Sequence, residues 1–467
     1  MNGVIKLLKD HLKKYVGYGF SEYTELRAQS NATRRVTMLN GNMINNDSSE
    51  SAGFSARVRV NGAYGFSSGS DYTPDSIERI ISAARENAIF LDSREKMGKP
   101  AFAKVPPMTS PLRYTTEDKA SQKRLIEFVS ETDAYIAAKY PKLLSRVVIA
   151  NCLDMEKLLV TSDSVYSHSD IPRSHIMVQM TLMGNDGTPV DLFTPFGGMG
   201  VFDDVFTTPD ALYEKLDALY EKVSAKAEGV YAEPGYKDVI LHSDLAGILA
   251  HEAVGHTVEA DFVLSGSVAG PSFGKQVASE KVTLVDFANT AFGKTCPQPI
   301  YVDDEGTPAE DAVIIKDGIL SGYMHNKESA EKLGFKPQGN ARAFLFSDEP
   351  LIRMRNTCIL PGKDRLEDMI ASIDDGYYFI DTGNGQADAT GEFMFGVNFG
   401  YEIKNGRIAR PLRDTTIAGV AFEVLKTVDM LSDELTWGSS GMCGKKQPMP
   451  VGMGGPAVKL KINVGGR

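Results

Sequence analysis

The chain has 467 residues, of which 42% are hydrophobic and 24% are charged, and its formal net charge is -11. This length exceeds what one hydrophobic core supports, so two or three domains are expected, and the acidic balance disfavours direct binding to nucleic acid. No apolar run approaches the roughly 18 residues of a membrane span, and four widely separated cysteines do not form a disulfide framework. We therefore expect a cytoplasmic protein without a membrane-spanning segment.

The first predicted segment, residues 1–97, mixes helix and strand signals. Met1 to Phe20 has the lysine and leucine pattern of a short amphipathic helix and lacks the apolar core of a secretory signal. Further on, Asn61-Gly62 is typical of a two-residue hairpin, because both central positions of that turn need a positive φ. Thr73 and Pro74 then predict the start of a helix. This segment is expected to form an N-terminal α+β domain.

The prolines between Gly98 and Pro111 predict a linker, since proline removes a backbone donor and disfavours helix in the preceding residue. The middle segment, residues 112–228, continues with a helix predicted from Thr116 to Lys139. We expect an α+β segment here, either separate or packed as one unit with the first. The stretch from Ala227 to Tyr236 contains glycine and proline, and it predicts a second boundary or an ordinary loop.

The last segment, residues 236–467, repeats the hairpin signal. Short β-rich runs flank Asp317-Gly318 and Asn405-Gly406. Hairpins scattered among helices, without a regular βαβ alternation, favour an α+β fold with largely antiparallel sheets. The whole chain is therefore expected to consist of two or three α+β domains.

The sharpest chemical feature is His251-Glu252-Ala253-Val254-Gly255-His256. Two histidines with an acid next to the first are typical of a zinc hydrolase, in which neutral imidazoles bind the ion and the carboxylate takes a proton from water. The motif predicts a metal site in the C-terminal domain, with Glu252 as general base. The alternative is an interior helix with a hydrogen-bonded histidine pair and a solvated glutamate.

The spacing of the two histidines constrains the local backbone. Four residues advance an α-helix by about 400°, which leaves two side chains about 40° apart, whereas five residues leave them about 140° apart. His251 and His256 are five residues apart, so a regular helix would not direct both at one ion. We therefore predict a π-type turn or a helix break at Gly255, since glycine permits either.

A catalytic zinc site also needs a third protein ligand and an open position for water. The candidates by side-chain chemistry are His242, His325, Glu259, Asp261 and the four cysteines. Cys443 stands out because the glycines around it let the backbone bring a thiolate close to an ion. A buried structural cysteine in a turn is the alternative for the same residue.

Several separated motifs, in order along the chain, resemble those of one known family. They are the run from His251 to Asp261, then Tyr301 to Gly306, Gly318 to Met324, Arg353 to Thr357, Gly441 to Lys445, and Pro450 to Gly454. Together they closely resemble the TldD branch of the TldD/PmbA peptidases, which are also called modulators of DNA gyrase. The likeness is dense from about residue 236 onward and looser but continuous before it.

The resemblance implies a zinc-dependent peptidase that acts on flexible peptides. On the family's pattern His251, His256 and Cys443 are the Zn2+ ligands, and Glu252 is the catalytic glutamate. The family divides into a metal-binding branch and a partner branch without the HExxxH motif, and this chain resembles the first. A homodimer, or a heterodimer with such a related subunit, is therefore expected to enclose the active site.

Two other interpretations stay open. One is a non-catalytic peptide-binding or regulatory protein with a structural or vestigial metal site, which a fourth protein ligand would indicate. The other starts from Asp381-Thr382-Gly383, the tripeptide of aspartic proteases. That chemistry needs two aspartates sharing a proton, and the glycine-rich surroundings of Asp381 favour an ordinary turn.

Overall fold

The structure is a computed structural model that describes residues 3–95, 98, 102, 108–113 and 120–465. Most of the predicted linker between Gly98 and Pro111 lies outside these residues. Residues 108–111 were also predicted to belong to the linker. This is wrong, because they are part of the strand Met108–Arg113, which runs parallel to residues 165–170. Proline fits there because the strand lies at the end of its sheet, where a missing N–H costs little.

Seven of the described strands form one long sheet. They are β1 (Tyr23–Leu39), β2 (Asn42–Val60), β3 (Ala63–Gly69), β4 (Met108–Arg113), β5 (Ser145–Thr161), β6 (Val165–Met183) and β7 (Pro189–Met199). The order is β3-β2-β1-β5-β6-β4, with β7 also paired to β6, and all pairs except β4–β6 are antiparallel. The turn at Asn61-Gly62 has positive φ at both residues, so the predicted hairpin is confirmed.

Helices cover one face of the long sheet. The described α-helices here are α1 (Gly3–Lys13), α2 (Pro74–Glu95), α3 (Gln122–Lys139), α4 (Phe202–Val205) and α5 (Tyr213–Glu228), with a 3-10 turn at Pro209–Leu212. α2 begins at Pro74, as predicted. α3 begins at Gln122 and not at Thr116, because the Ser121 hydroxyl accepts a hydrogen bond from the Arg124 N–H. Residues 116–119 of that predicted helix lie outside the described part of the chain.

The opposite face of the long sheet is polar and contacts the C-terminal half. Leu26 and Ala28 of β1 are buried in the cluster that α1 and α2 cover. Arg27 lies between them and points the other way, because successive side chains of a strand face opposite sides. Its guanidinium donates to the Leu345 carbonyl at 3.1 Å. This face therefore brings the two halves of the chain together.

The described strands from residue 235 onward are mostly antiparallel. They are β8 (Gly235–Leu241), β9 (Leu284–Phe287), β10 (Thr290–Ala291), β11 (Lys294–Thr295), β12 (Ala312–Lys316), β13 (Ile319–Leu320), β14 (Ala341–Arg342), β15 (Leu351–Ile352), β16 (Asn356–Ile359), β17 (Asp375–Ala387), β18 (Glu392–Lys404), β19 (Arg407–Leu412), β20 (Thr415–Val420), β21 (Met430–Leu431), β22 (Thr436–Cys443), β23 (Met449–Gly455) and β24 (Val458–Val464). The hairpins predicted at Asp317-Gly318 and Asn405-Gly406 are confirmed by positive φ at all four residues.

Two sheets organise this half. β8, β17, β18, β20 and β24 pair in sequence and return to β8, which closes them into a barrel. A second sheet has the order β13-β12-β9-β16-β23-β22, so β22 is an outer strand. The α-helices of this half are α6 (Ser243–Ile248), α7 (Ala260–Leu264), α8 (Ala269–Ser272), α9 (Lys327–Leu333), α10 (Leu366–Ala371) and α11 (Ala421–Lys426).

The segment after β8 packs between the barrel and the second sheet. Leu245, Leu249 and Val254 of this segment are fully buried in the largest core cluster, which includes side chains from both. The predicted α+β class with largely antiparallel sheets is thus confirmed. The division into residues 1–97, 112–228 and 236–467 stays a prediction. In the part of the chain that is described, each helix is too short or too polar to cross a bilayer.

Candidate metal centre

The two motif histidines lie where the helix changes its winding. A π-helix, Leu249–Gly255, continues α6 and passes into a 3-10 turn at His256–Val258. Because π-helical hydrogen bonds join residues five apart, residues five apart lie near one face. The predicted π-type turn is therefore present. Gly255 permits the close packing here, since a Cβ at this position would collide with the Met354 sulfur.

His251, His256 and Cys443 come together, although 187 residues separate Cys443 from His256 in sequence. Their ligand atoms all lie within 4.8 Å of one another. The distance from Cys443 Sγ to His256 Nε2 is 3.6 Å. A tetrahedral ion about 2.1 Å from a nitrogen and about 2.3 Å from a sulfur would place those two atoms about 3.6 Å apart. We call these three residues the ligand trio.

The chemistry of the ligand trio fits a divalent metal ion. His251 is 1% exposed, and neither of its ring nitrogens has a hydrogen-bond partner among the described residues. A buried polar atom without a partner is costly, and coordination of an ion would satisfy it. Imidazole nitrogen and thiolate sulfur are the donors that zinc takes in proteins.

The electrostatics of the ligand trio favour a positive charge at its centre. Burial alone would raise the pKa of the Cys443 thiol, but its interactions with His251 and His256 lower that pKa to about 4. Burial would lower the pKa of His256, whereas Cys443, Glu252 and Glu259 raise it to about 12. The surroundings therefore stabilise a thiolate beside an imidazolium. A cation in the same place would meet the same negative charge.

Glu252 lies on the exposed side of the ligand trio. Its Oε2 is 3.4 Å from His256 Nε2, and the side chains of Glu252 and His256 are 27% and 21% exposed. Burial would raise the pKa of Glu252, but the hydrogen bond from His256 and the electrostatic interactions with His251 and His256 lower it. The side chain is therefore a carboxylate at neutral pH, within reach of water and of the ligand trio.

Glu259, a candidate ligand by sequence, lies behind His256 instead. Its Oε2 accepts a hydrogen bond from His256 Nδ1 at 2.9 Å, which leaves Nε2 facing Cys443. Lys445 Nζ is 3.3 Å from the same Oε2 and 2.7 Å from Asp261 Oδ2. A carboxylate on the second nitrogen fixes the orientation of a metal-binding histidine. Sequence analysis missed this role of Glu259 and Lys445, although both lie within three residues of a motif ligand.

The other candidate histidines do not join the ligand trio. His242 precedes α6 as its N-cap residue and makes no capping hydrogen bond with its side chain. His325 is fully buried, with Nδ1 3.1 Å from Ser329 Oγ and its ring stacked on Phe335 at 4.8 Å. Burial lowers the pKa of His325 to about 4, so it is neutral. Among the described residues, neither histidine belongs to the group whose ligand atoms lie within 4.8 Å of one another.

Arg353 holds the segment that carries Cys443. Its buried guanidinium donates to three backbone carbonyls: Nη2 to Cys443 at 2.7 Å, and Nη1 to Gln447 at 2.7 Å and Lys445 at 3.1 Å. These bonds fix the turn that follows β22 and therefore the position of the thiol. Arg353 belongs to one of the family-like motifs, but the motif alone did not indicate this contact.

Comparisons with known proteins identify the family. The model of the PmbA/TldA metallopeptidase C-terminal domain matches residues 234–466, and that of PmbA/TldA metallopeptidase domain 1 matches residues 24–88. A metalloprotease of Methanothermobacter thermautotrophicus is 30% identical over 446 residues, 94% of each chain. A metalloprotease TldD homolog of Buchnera aphidicola is 41% identical over 233 residues, 49% of this chain and 48% of its own. A zinc metalloprotease TldD homolog of Saccharolobus solfataricus is 28% identical over 416 residues, 89% of this chain and 90% of its own.

Solved structures show the same fold at low sequence identity. A protein of Thermotoga maritima described as a modulator of a DNA gyrase gives a TM-score of 0.75 at 16% identity, covering 99% of both chains. TldE of Thermococcus kodakarensis gives 0.74 at 17%, covering 98% of this chain and 100% of its own. Fold, family models and relatives together define the class, that of a metallopeptidase family. The chain belongs to the TldD/PmbA family, as its motifs predicted.

Proposed function

We propose that this protein is a zinc-dependent peptidase that hydrolyses flexible or unfolded peptides. His251, His256 and Cys443 are the proposed ligands, and Glu252 is the proposed general base. The observation that carries the proposal is the ligand trio, of which His251 and Cys443 are buried, with its donor atoms within 4.8 Å and a partly exposed carboxylate beside it. The metalloprotease names of the relatives support the same chemistry.

Each side chain has a separate task in this proposal. When bound, a zinc ion supplies positive charge that acidifies water and polarises a peptide carbonyl, and two imidazoles with one thiolate leave it a net charge of about +1. Glu252 accepts a proton from the attacking water and returns it to the leaving amine. Glu259 and Lys445 hold the His256 ring so that Nε2 faces Cys443.

Flexible peptides are the proposed substrates because of where Cys443 lies. It is the last residue of β22, an outer strand of its sheet, and Met442 beside it is exposed. An extended peptide can pair its backbone with such an edge, which gives affinity without a strict sequence requirement. A folded protein does not present a free extended backbone, so we expect it to be a poor substrate.

A dimer is proposed for the working protein, either with a second copy or with a related subunit that lacks the metal motif. The structural neighbour named TldE and the relatives named TldD homologs support a pair of related chains. A cytoplasmic location is part of the same proposal.

Replacement of Glu252 tests the mechanism. In the Glu252→Gln chain we expect zinc content near one ion per chain and cleavage of an unfolded peptide reduced by about 10³-fold or more, because the base is lost while the ligands remain. Elemental analysis and a peptidase assay, with and without a related subunit, measure both quantities. Glu367→Gln, which removes an exposed carboxylate on α10, is the matched control and should keep full activity.

Two outcomes would redirect the proposal. Full cleavage by the Glu252→Gln chain would exclude Glu252 as the base. A zinc-loaded wild-type chain that binds unfolded peptides without cleaving them would favour the non-catalytic peptide-binding alternative.

A further inference from the structure

A small cavity lies between the long sheet and the C-terminal half, outside the ligand trio. Its volume is about 40 Å³. The lining includes Lys157 of β5, Arg173 of β6 and Arg342 of β14, with the hydroxyl side chains of Ser167 and Ser169. Three cationic side chains from two halves of the chain therefore surround a cavity that is large enough for a few water molecules.

The two guanidinium groups are buried without an acidic partner. Arg173 is 5% exposed and Arg342 is 4% exposed, and neither forms an ion pair within the described residues. Arg342 donates to the carbonyls of Met354 at 2.6 Å and Pro450 at 2.8 Å. Arg173 donates to the Ile171 carbonyl at 3.3 Å and to Gln298 Oε1, and its Nε has no partner in the described part of the chain.

Two carboxylates also line the cavity, but both are already engaged. Asp304 Oδ2 is 2.7 Å from Lys157 Nζ and 3.9 Å from Arg27 Nη1, so two cations share this one acid. Asp303 accepts hydrogen bonds from backbone N–H groups, two of them from Glu305 and Thr307 to Oδ1. Positive charge is therefore in excess around the cavity even when both acids are ionised.

The pKa values of the two buried arginines are lowered in these surroundings. Burial, followed by the like charges of Arg173 and Arg353, lowers the pKa of Arg342 to about 9, and Asp304 and Asp286 offset this only in part. Burial alone lowers the pKa of Arg173 to about 10. Buried charges in proteins are normally paired, because an unpaired one loses its hydration without compensation.

We propose that this cavity binds one small inorganic anion, of a size between chloride and phosphate, held by Arg173, Arg342 and Lys157. The free Nε–H of Arg173 and the serine hydroxyls are available as hydrogen-bond donors to it. Guanidinium groups match such anions in charge and geometry. The anion offsets the excess positive charge between the two halves, and the small volume of the cavity favours a small anion. This inference does not depend on the proposed peptidase activity.

Thermal unfolding of the full chain tests the site. At constant ionic strength, replacement of sodium gluconate by sodium chloride or sodium phosphate should raise the Tm by about 3 °C or more and then saturate, because the anion binds the folded state. Gluconate, a larger organic anion, is expected not to fit the cavity and controls for general screening. The anion whose effect on the Tm saturates at the lower concentration binds more tightly, which shows whether the cavity prefers a halide or an oxyanion. Either result supports the site.

Two variants separate this site from general salt effects. Arg173→Met should lose the saturable rise in Tm, whereas Arg413→Met should keep it, because Arg413 is a buried guanidinium with its own acidic partner, Asp186. An equal rise in gluconate, or a saturable rise that persists in Arg173→Met, overturns the proposal. If Arg173→Met does not fold, wild-type crystals grown with bromide and with phosphate decide. Density for an anion in contact with Arg173 supports the site, and water alone in both crystals overturns it.

Discussion

Two buried polar clusters in this protein are built in opposite ways. The Arg57 cluster, Glu25, Arg57 and Glu305, joins β1 and β2 of the long sheet to the C-terminal half. Arg57 Nε is 2.9 Å from Glu25 Oε2, and its Nη2 also donates to Glu305. The Lys327 N–H donates to Glu305 Oε2 at 2.8 Å. The Lys327 ammonium donates to the Tyr23 hydroxyl at 2.6 Å and to the Glu305 carbonyl at 2.8 Å. Two cations and two carboxylates therefore lie close together, and each has a hydrogen-bond partner.

The ligand trio has two buried members and one half-buried member, His256, and its polar atoms do not all satisfy one another. His251 has no hydrogen-bond partner among the described residues, and Cys443 is held as a thiolate by its neighbours. The two clusters show two uses of buried polar groups. A cluster whose charges balance joins two parts of the chain, and a cluster without a central positive charge is arranged for a ligand. Changes in the first should affect stability, and changes in the second should affect metal binding.

Removal of Cys443 should give the largest effect. In the Cys443→Ala chain we expect the zinc content to fall from about one ion per chain to near zero and peptidase activity to be lost, because two histidines alone are too few ligands. The matched control is Cys296→Ala, a buried cysteine whose pKa burial raises to about 12 and which therefore stays a thiol. Elemental analysis measures both chains. Zinc at wild-type level in Cys443→Ala would contradict the ligand assignment.

Breaking the Arg57 cluster should affect stability and leave the metal in place. Arg57→Met leaves two buried carboxylates without their shared cation, so we expect a loss of about 3–5 kcal/mol, with zinc content unchanged. Denaturant unfolding and elemental analysis measure the two quantities. Arg79→Met removes an exposed guanidinium paired with Asp71, and it should change stability little. Loss of zinc from the folded Arg57→Met chain would contradict this prediction, because it would show that the Arg57 cluster also affects metal binding.

Local features of the fold were predictable because they depend on near neighbours. The hairpin at Asn405-Gly406 follows from φ requirements, and the π-type turn follows from the five-residue spacing of His251 and His256. The turn at Asn40-Gly41 carries the same signal and also has positive φ at both residues, so it is predictable on the same grounds. The start of α3 differs from the prediction because Ser121 is the N-cap residue of this helix.

Contacts between distant segments were not predictable from spacing. Cys443 was assigned through the family resemblance, since nothing local places it 3.6 Å from His256. The contact of Lys445 with Glu259 depends on how β22 and the histidine segment pack, as does the enclosure of Arg173 and Arg342. A lysine or arginine in a sequence is expected at the surface, so its burial becomes visible only in the folded chain.

Loss of the support behind His256 should weaken metal binding without abolishing it. Glu259→Gln keeps the size of the side chain but removes the carboxylate that orients the ring, so we expect a 10- to 100-fold lower zinc affinity, about 1.4–2.7 kcal/mol. Competition with a chelator measures the affinity. Glu127→Gln on the surface of α3 is the control and should bind zinc normally. An unchanged affinity in Glu259→Gln would show that packing alone orients His256.

The smallest expected effect is a change of about tenfold in zinc affinity for each pH unit, which arises at the ligand trio and not at the Arg57 cluster. Without an ion the pKa of Cys443 is about 4, so near pH 7 its thiol has already lost its proton. The pKa of His256 is raised to about 12, so its ring still carries the proton that an ion must displace. Binding should therefore release about one proton from His256 and strengthen about tenfold per unit between roughly pH 7 and pH 9. Calorimetry in two buffers of different ionisation enthalpy counts the protons released. A zinc affinity that stays constant from pH 7 to pH 9 would mean that His256 is neutral before the ion binds. In that case no proton on His256 would compete with the metal.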